Sequence, residues 1–166
     1  MKKIFALLCL LLAVATASAQ QLPDVNIEDS KGAKVSIRSL AQGKPMIISY
    51  WSIACKPCIQ ELNAINDALA DWKSEADFVV VAVSVDDARL KASAKAVASS
   101  RGWEFTCIYD ENQELKRAMN VSLTPQSFVV DGEGNIIFSH SGYTPGSEQL
   151  LFDKIVELKK GQKKKK

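Results

Sequence analysis

Two cysteines with two residues between them, Cys55 and Cys58, sit in the stretch ISYWSIACKPCIQE, residues 48–61. Such a pair can hold a metal, staple a fold, or cycle between dithiol and disulfide. A zinc site needs about four ligands. The pair supplies two, and Cys107 and the lone His140 lie far off in sequence without paired spacing, so no metal is expected. As a staple, the pair closes a loop of only two intervening residues, which restricts the unfolded chain little. Reversible redox chemistry suits the spacing better, and the elements around the pair decide whether it is supported.

Residues 45–51 form a continuous apolar, β-prone run, as in a strand covered on both faces. Ile59, Leu62, Ile65, Leu69 and Trp72 follow at three- and four-residue spacing, which predicts a helix from the cysteines to about Ser74. The pair therefore falls where a buried strand gives way to a helix N-terminus. Free amides and the positive end of the helix dipole stabilise a thiolate there. Pro57 is tolerated in the first turn, and Lys56 adds a positive charge. Cys55 is thus the expected nucleophile, and Cys58, one turn deeper, the shielded partner that resolves a mixed disulfide.

The rest of the chain reads as alternating elements. Residues 25–37 alternate about Asp29-Ser30-Lys31-Gly32 as an N-terminal hairpin, and residues 78–85 (FVVVAVSV) form the strongest strand. Residues 87–100 predict a helix, 104–109 a strand, 111–119 a short helix, 126–130 and 135–140 two strands about Asp131-Gly132-Glu133-Gly134, and 146–160 a final amphipathic helix. The expected class is α/β with a central mixed sheet flanked by helices.

Met1-Lys2-Lys3, the apolar run of residues 4–14 and Ala17-Ser18-Ala19 have the layout of a secretory signal peptide cut after Ala19. Leu8 stands before Cys9 where a lipobox needs a small residue, so Cys9 is expected to leave with the signal. Cleavage leaves residues 20–166 as one domain, with basic and acidic residues in balance. Six lysines within residues 159–166 are read as a disordered, solubilising tail rather than a nucleic-acid site, with the domain proper spanning 20–158. Three cysteines remain after export. An odd number argues against a disulfide-stapled scaffold, and Cys107, in a strand-like run, is read as inert core.

Strand-Cys-x-x-Cys-helix, followed by Thr124-Pro125 before a later strand and a Gly-bearing hairpin, resembles the thioredoxin superfamily. Cys55-Lys56-Pro57-Cys58-Ile59-Gln60-Glu61-Leu62, the N-terminal hairpin and the long interval between Cys58 and Pro125 resemble the exported TlpA/ResA-like thiol-disulfide oxidoreductases in particular. The likeness runs over about residues 22–158. It implies a thioredoxin-like fold with an N-terminal β-hairpin and a central strand/helix insertion. It also implies Cys55 and Cys58 as the redox-active disulfide, and Pro125 as a cis-proline that leaves the Thr124 backbone free to pair with a substrate. Glu61 is implied as an acid that tunes both thiols and relays a proton, and Trp51, Pro57, Thr124 and Pro125 as substrate-binding positions. Client proteins with disulfides or thiols, a membrane electron donor, no cofactor and a monomeric state complete the expectation, with reduction as its direction and cytochrome c maturation or oxidative-stress defence as its service.

Three positions depart from the pattern. Ala54 replaces a tryptophan before the first cysteine, Ser49 stands where thioredoxins usually place a buried aspartate, and Asn63 replaces a helix-kinking proline. Two alternatives share the fold. A thiol peroxidase needs a proline and a threonine or serine set before its cysteine, which SYWSIAC lacks. A copper-binding chaperone-like module would use Cys-x-x-x-Cys, one residue longer than the spacing here, with His140 as its other ligand.

Overall fold

The computed structural model describes residues 20–163, so the expected signal peptide and Lys164–Lys166 lie outside the described residues. Among these residues seven strands form one sheet: β1 (Asn26–Asp29), β2 (Lys34–Ser36), β3 (Met46–Trp51), β4 (Val79–Ser84), β5 (Thr106–Tyr109), β6 (Gln126–Val130) and β7 (Ile136–Ser141). Their order across the sheet is β2-β1-β5-β4-β3-β6-β7. β3, β4 and β5 run parallel, while β1, β2, β6 and β7 join antiparallel, so the sheet is mixed.

Among the described residues, five helices cover the sheet: α1 (Ile37–Ala41), α2 (Lys56–Glu75), α3 (Lys91–Ser100), α4 (Glu114–Ala118) and α5 (Gln149–Lys163). Every residue of β3 is buried, as its unbroken apolar run requires of a central strand. Side chains alternate across it. Met46, Ile48 and Tyr50 pack with Ile37 and Ala41 of α1, Leu115 of α4 and the hairpin residue Ile27. On the opposite face, Ile47 meets α2 and α5, and Trp51 meets α2 and α3.

After β4 the chain adds α3 against one face of the sheet and β5 to its edge, and the β1–β2 hairpin docks beyond β4 on β5. Asn63 and Asn66 of α2 grip this insertion. Asn63 Oδ1 accepts from Trp103 Nε1 at 3.0 Å, and Asn66 Oδ1 accepts from the Glu104 amide at 2.8 Å. Asn63 thus leaves α2 continuous over 20 residues and ties it to the loop between α3 and β5. At the other end of β6, a Cβ on Gly132 would lie 2.5 Å from the Gly43 carbonyl oxygen, so only glycine lets the β6–β7 turn close against the approach to β3.

Several boundaries differ from the sequence reading. α3 begins at Lys91 because Asp87 instead caps a turn, its carboxylate accepting the Arg89 and Leu90 amides. α1 is too short to show a helical period. The final helix runs through Lys163, which corrects the expectation of a disordered tail from residue 159. Lysines in the last turns favour the negative end of the helix dipole, and Lys159 Nζ donates to the Glu75 carbonyl.

Candidate active site

The site is built at the C-terminal end of β3. A turn closed by the Cys55 amide on the Ser52 carbonyl, 3.1 Å, carries the chain from the strand into α2. Asp86, just past β4, holds that turn. Its carboxylate accepts the Ile53 amide through both oxygens, at 3.1 and 3.3 Å, and the Ser84 hydroxyl at 2.9 Å. Asp86 is 6% exposed, so this is a buried clamp on the residue two before Cys55.

Cys55 is the N-cap of α2, with the Cys58 amide donating to its Sγ at 3.3 Å. Cys55 and Cys58 are joined as a disulfide, Cys55 half-buried and Cys58 fully buried. A helix N-terminus aimed at the outer sulfur favours its thiolate once the bond is reduced. Lys56 and Pro57 are exposed on the first turn beside the pair.

β6 runs antiparallel to β3, with Gln126 opposite Tyr50, so Pro125 comes level with Trp51 and Thr124 with the turn that leads to Cys55. The Thr124–Pro125 bond is cis. Pro125 is buried and Thr124 half-buried. The same register sets Ser49 opposite Ser127, and both hydroxyls donate to Glu61 Oε2, at 2.8 and 3.0 Å. Glu61 is a buried carboxyl, 1% exposed, one turn along α2 from Cys58. Burial raises its pKa above the usual carboxylate range. The two serine donors pull it down, and the charge of Glu148 adds to the rise. Tyr143 belongs to the same surroundings, its hydroxyl pushed up by burial and by Glu148.

The structure thus brings Cys55, Cys58, Glu61, Thr124 and Pro125 together, with Pro57 on the rim. Trp51 is a correction. The alternation of β3 turns its side chain away from solvent, where it is fully buried and edge-on to Trp103 with ring centroids 4.9 Å apart, so it offers no surface to a substrate. Cys107 is buried in the same apolar cluster as Cys58, and burial pushes its thiol up to about 12. His140 faces Ser127 across the β6–β7 pair. Among the described residues no three His, Cys, Asp or Glu side chains gather as a metal site. Sequence reading missed Ser127, Asp86 and Tyr143. A signal for Ser127 existed: like Ser49, it is a small polar residue directly beside an apolar run, here Phe128-Val129-Val130.

Residues 18–139 match the AhpC/TSA family. The chain belongs to that family. The thiol-disulfide oxidoreductase ResA of Bacillus thuringiensis is 24% identical over 88% of this chain and 76% of its own length. A thioredoxin-like protein from Porphyromonas gingivalis superposes with a TM-score of 0.73 and 44% identity, over 82% of this chain and 90% of the other. A DsbE-type thiol:disulfide interchange protein from Chlorobium tepidum also gives a TM-score of 0.73, at 26% identity over 84% and 96% of the two chains. The AhpC/TSA domain here is therefore thioredoxin-like, as its cysteine motif and element order led one to expect.

Proposed function

We propose that this protein is a thiol-disulfide oxidoreductase that reduces disulfides in client proteins outside the cytoplasm. The observation that carries the reading is the pairing of a half-buried Cys55, capping α2, with a fully buried Cys58. In the reduced protein the Cys55 thiolate attacks one sulfur of a client disulfide. A Cys55–client bond forms, the client's sulfur–sulfur bond breaks, and one client thiolate leaves and takes up a proton. Cys58 then loses its proton and attacks Cys55 Sγ, which releases the second client thiol and closes Cys55–Cys58. Two electrons and two protons have passed to the client. Glu61, buried one turn from Cys58 with a raised pKa, is the group whose carboxylate is suited to act as base and take the Cys58 proton.

The basic start, apolar run and small-residue cleavage pattern of residues 1–19 support export, and relatives named as ResA and DsbE proteins support the exchange chemistry. No helix among the described residues is long and apolar enough to cross a membrane. A membrane-bound electron donor would return Cys55–Cys58 to the dithiol between turnovers.

The test is trapping. Cys58→Ser keeps the attacking sulfur and removes the resolving one, so it should accumulate mixed disulfides through Cys55 that dithiothreitol releases. Cys55→Ser should accumulate none. Equal trapping by both variants would reverse the roles, and faster turnover of hydrogen peroxide than of protein disulfides would replace the reading with peroxidase chemistry.

A further inference from the structure

The loop that enters β6 carries the most exposed large apolar side chain of the described residues. Leu123 is 80% exposed, whereas Leu90, Ile137 and Leu150 lie between 40% and 44%. A lone exposed leucine is ordinary on a protein surface. The position of this one is not ordinary. The β3–β6 register places Thr124 level with the turn before Cys55, so Leu123 stands at the mouth of the site. Among the described residues, no hydrogen bond engages the backbone of Ser122, Leu123 or Thr124. Across the mouth, Ala54 and Pro57 are exposed and Ile53 is half-buried, giving small apolar walls on either side of Cys55. Unpaired backbone and apolar side chains on one rim match an extended polypeptide. Its backbone pairs with the unengaged backbone of residues 122–124, and its own side chains sit in the gaps.

We infer that Leu123 is a specificity-determining residue that selects client segments carrying an apolar side chain within two residues of the cysteine under attack. This deepens the proposed exchange function and rests on it. When such a segment lies along residues 122–124 with its disulfide over Cys55 Sγ, the neighbouring apolar group covers Leu123 and is itself covered by it. Ala54 leaves room for that group where a bulkier residue would fill the rim. A segment with serine in that place leaves both partners in water and gains nothing.

The experiment uses pre-reduced protein in single turnover with two cystine peptides that differ only by Leu or Ser immediately before one cysteine. The wild type should reduce the Leu peptide about tenfold faster by second-order rate constant, the scale set by partly burying two aliphatic side chains. Leu123→Ser should bring the ratio close to one, and Leu123→Met, which keeps the apolar surface, should retain most of it. Leu123 makes no core contact that the Ser variant would break, and an unchanged circular dichroism melt verifies this. Equal wild-type rates on the two peptides, or an undiminished ratio in Leu123→Ser, overturn the inference while leaving the exchange function standing. Failure of the reduced wild type to reduce either peptide refutes the exchange reading, and this inference with it.

Discussion

Ser49→Ala isolates the hydrogen bond that most directly sets the charge state of Glu61. Ser49 Oγ donates to Glu61 Oε2 over 2.8 Å, with both residues shut off from water. Alanine keeps the Cβ and removes only the oxygen, so little cavity forms and the loss is mainly that of the bond. A hydrogen bond between neutral groups contributes about 0.5–1.5 kcal/mol, and one to a charged group about 1.5–3 kcal/mol. Burial raises the folded pKa of Glu61 above its ordinary 4.5. Below pH 4.5 the carboxyl is protonated in both folded and unfolded chains, and the stability that comes with holding the proton is fully present. As pH rises through the raised folded value, that stability is lost, because the fold must then accommodate a buried carboxylate. Without the Ser49 donor the folded value moves further up and the loss is larger. The variant should therefore be less stable than wild type by about 1 kcal/mol at pH 4 and about 2 kcal/mol at pH 9. In a domain of this size each 1 kcal/mol is about 2–4 °C in Tm, so the gap between the two melting curves should widen by about that much across the range. Thermal unfolding of the disulfide-bonded protein at the two pH values measures it. A gap that stays constant or narrows as pH rises would show that Ser49 does not stabilise the carboxylate, and the account of Glu61 would fail.

Glu61→Gln removes the carboxylate and keeps the helix propensity. Alkylation of Cys55 in the reduced variant should become faster at mildly acid pH, and resolution of mixed disulfides should slow on the order of a hundredfold at neutral pH; identical rate profiles would leave Glu61 a purely structural residue. Cys107, its thiol pushed up to about 12, should resist iodoacetamide at pH 8 in the native protein and react only on unfolding. Cys107→Ala should lower stability by about 1 kcal/mol and leave disulfide exchange intact; loss of exchange in a folded variant would give Cys107 a redox role.

The order of elements was legible in the sequence because each one carries its own period. An unbroken apolar run marks β3, and a three- and four-residue repeat marks α2. Between them they place Cys55 at a helix N-terminus, from which the expectation of a nucleophilic role follows without further structure. Element ends, and one short helix, were not legible. α1 spans little more than one turn, and Asp87 could be read as a helix start until its capped turn was seen. Trp51 shows the limit for single residues, since an aromatic side chain beside a cysteine motif suits the rim or the core equally. Only the pleat of β3 and the arrival of Trp103 from the insertion put it inside.

The surroundings of the dithiol depend on contacts between residues far apart along the chain. Ser49 and Ser127 lie on different strands, and each stands out in its own segment only as a polar residue, with nothing there to name its partner. They meet because β3 and β6 pair antiparallel in one register out of several that their apolar patterns would allow, and a slip of one residue would turn both hydroxyls to the other face. Asp86 reaches the Ile53 amide only because β4 lies parallel to β3, so that the two strands end side by side. Local pattern sets which residues form a helix or a strand, since those bonds close within a few residues. The partners of a buried carboxyl are set by sheet register, and register is a property of the assembled sheet.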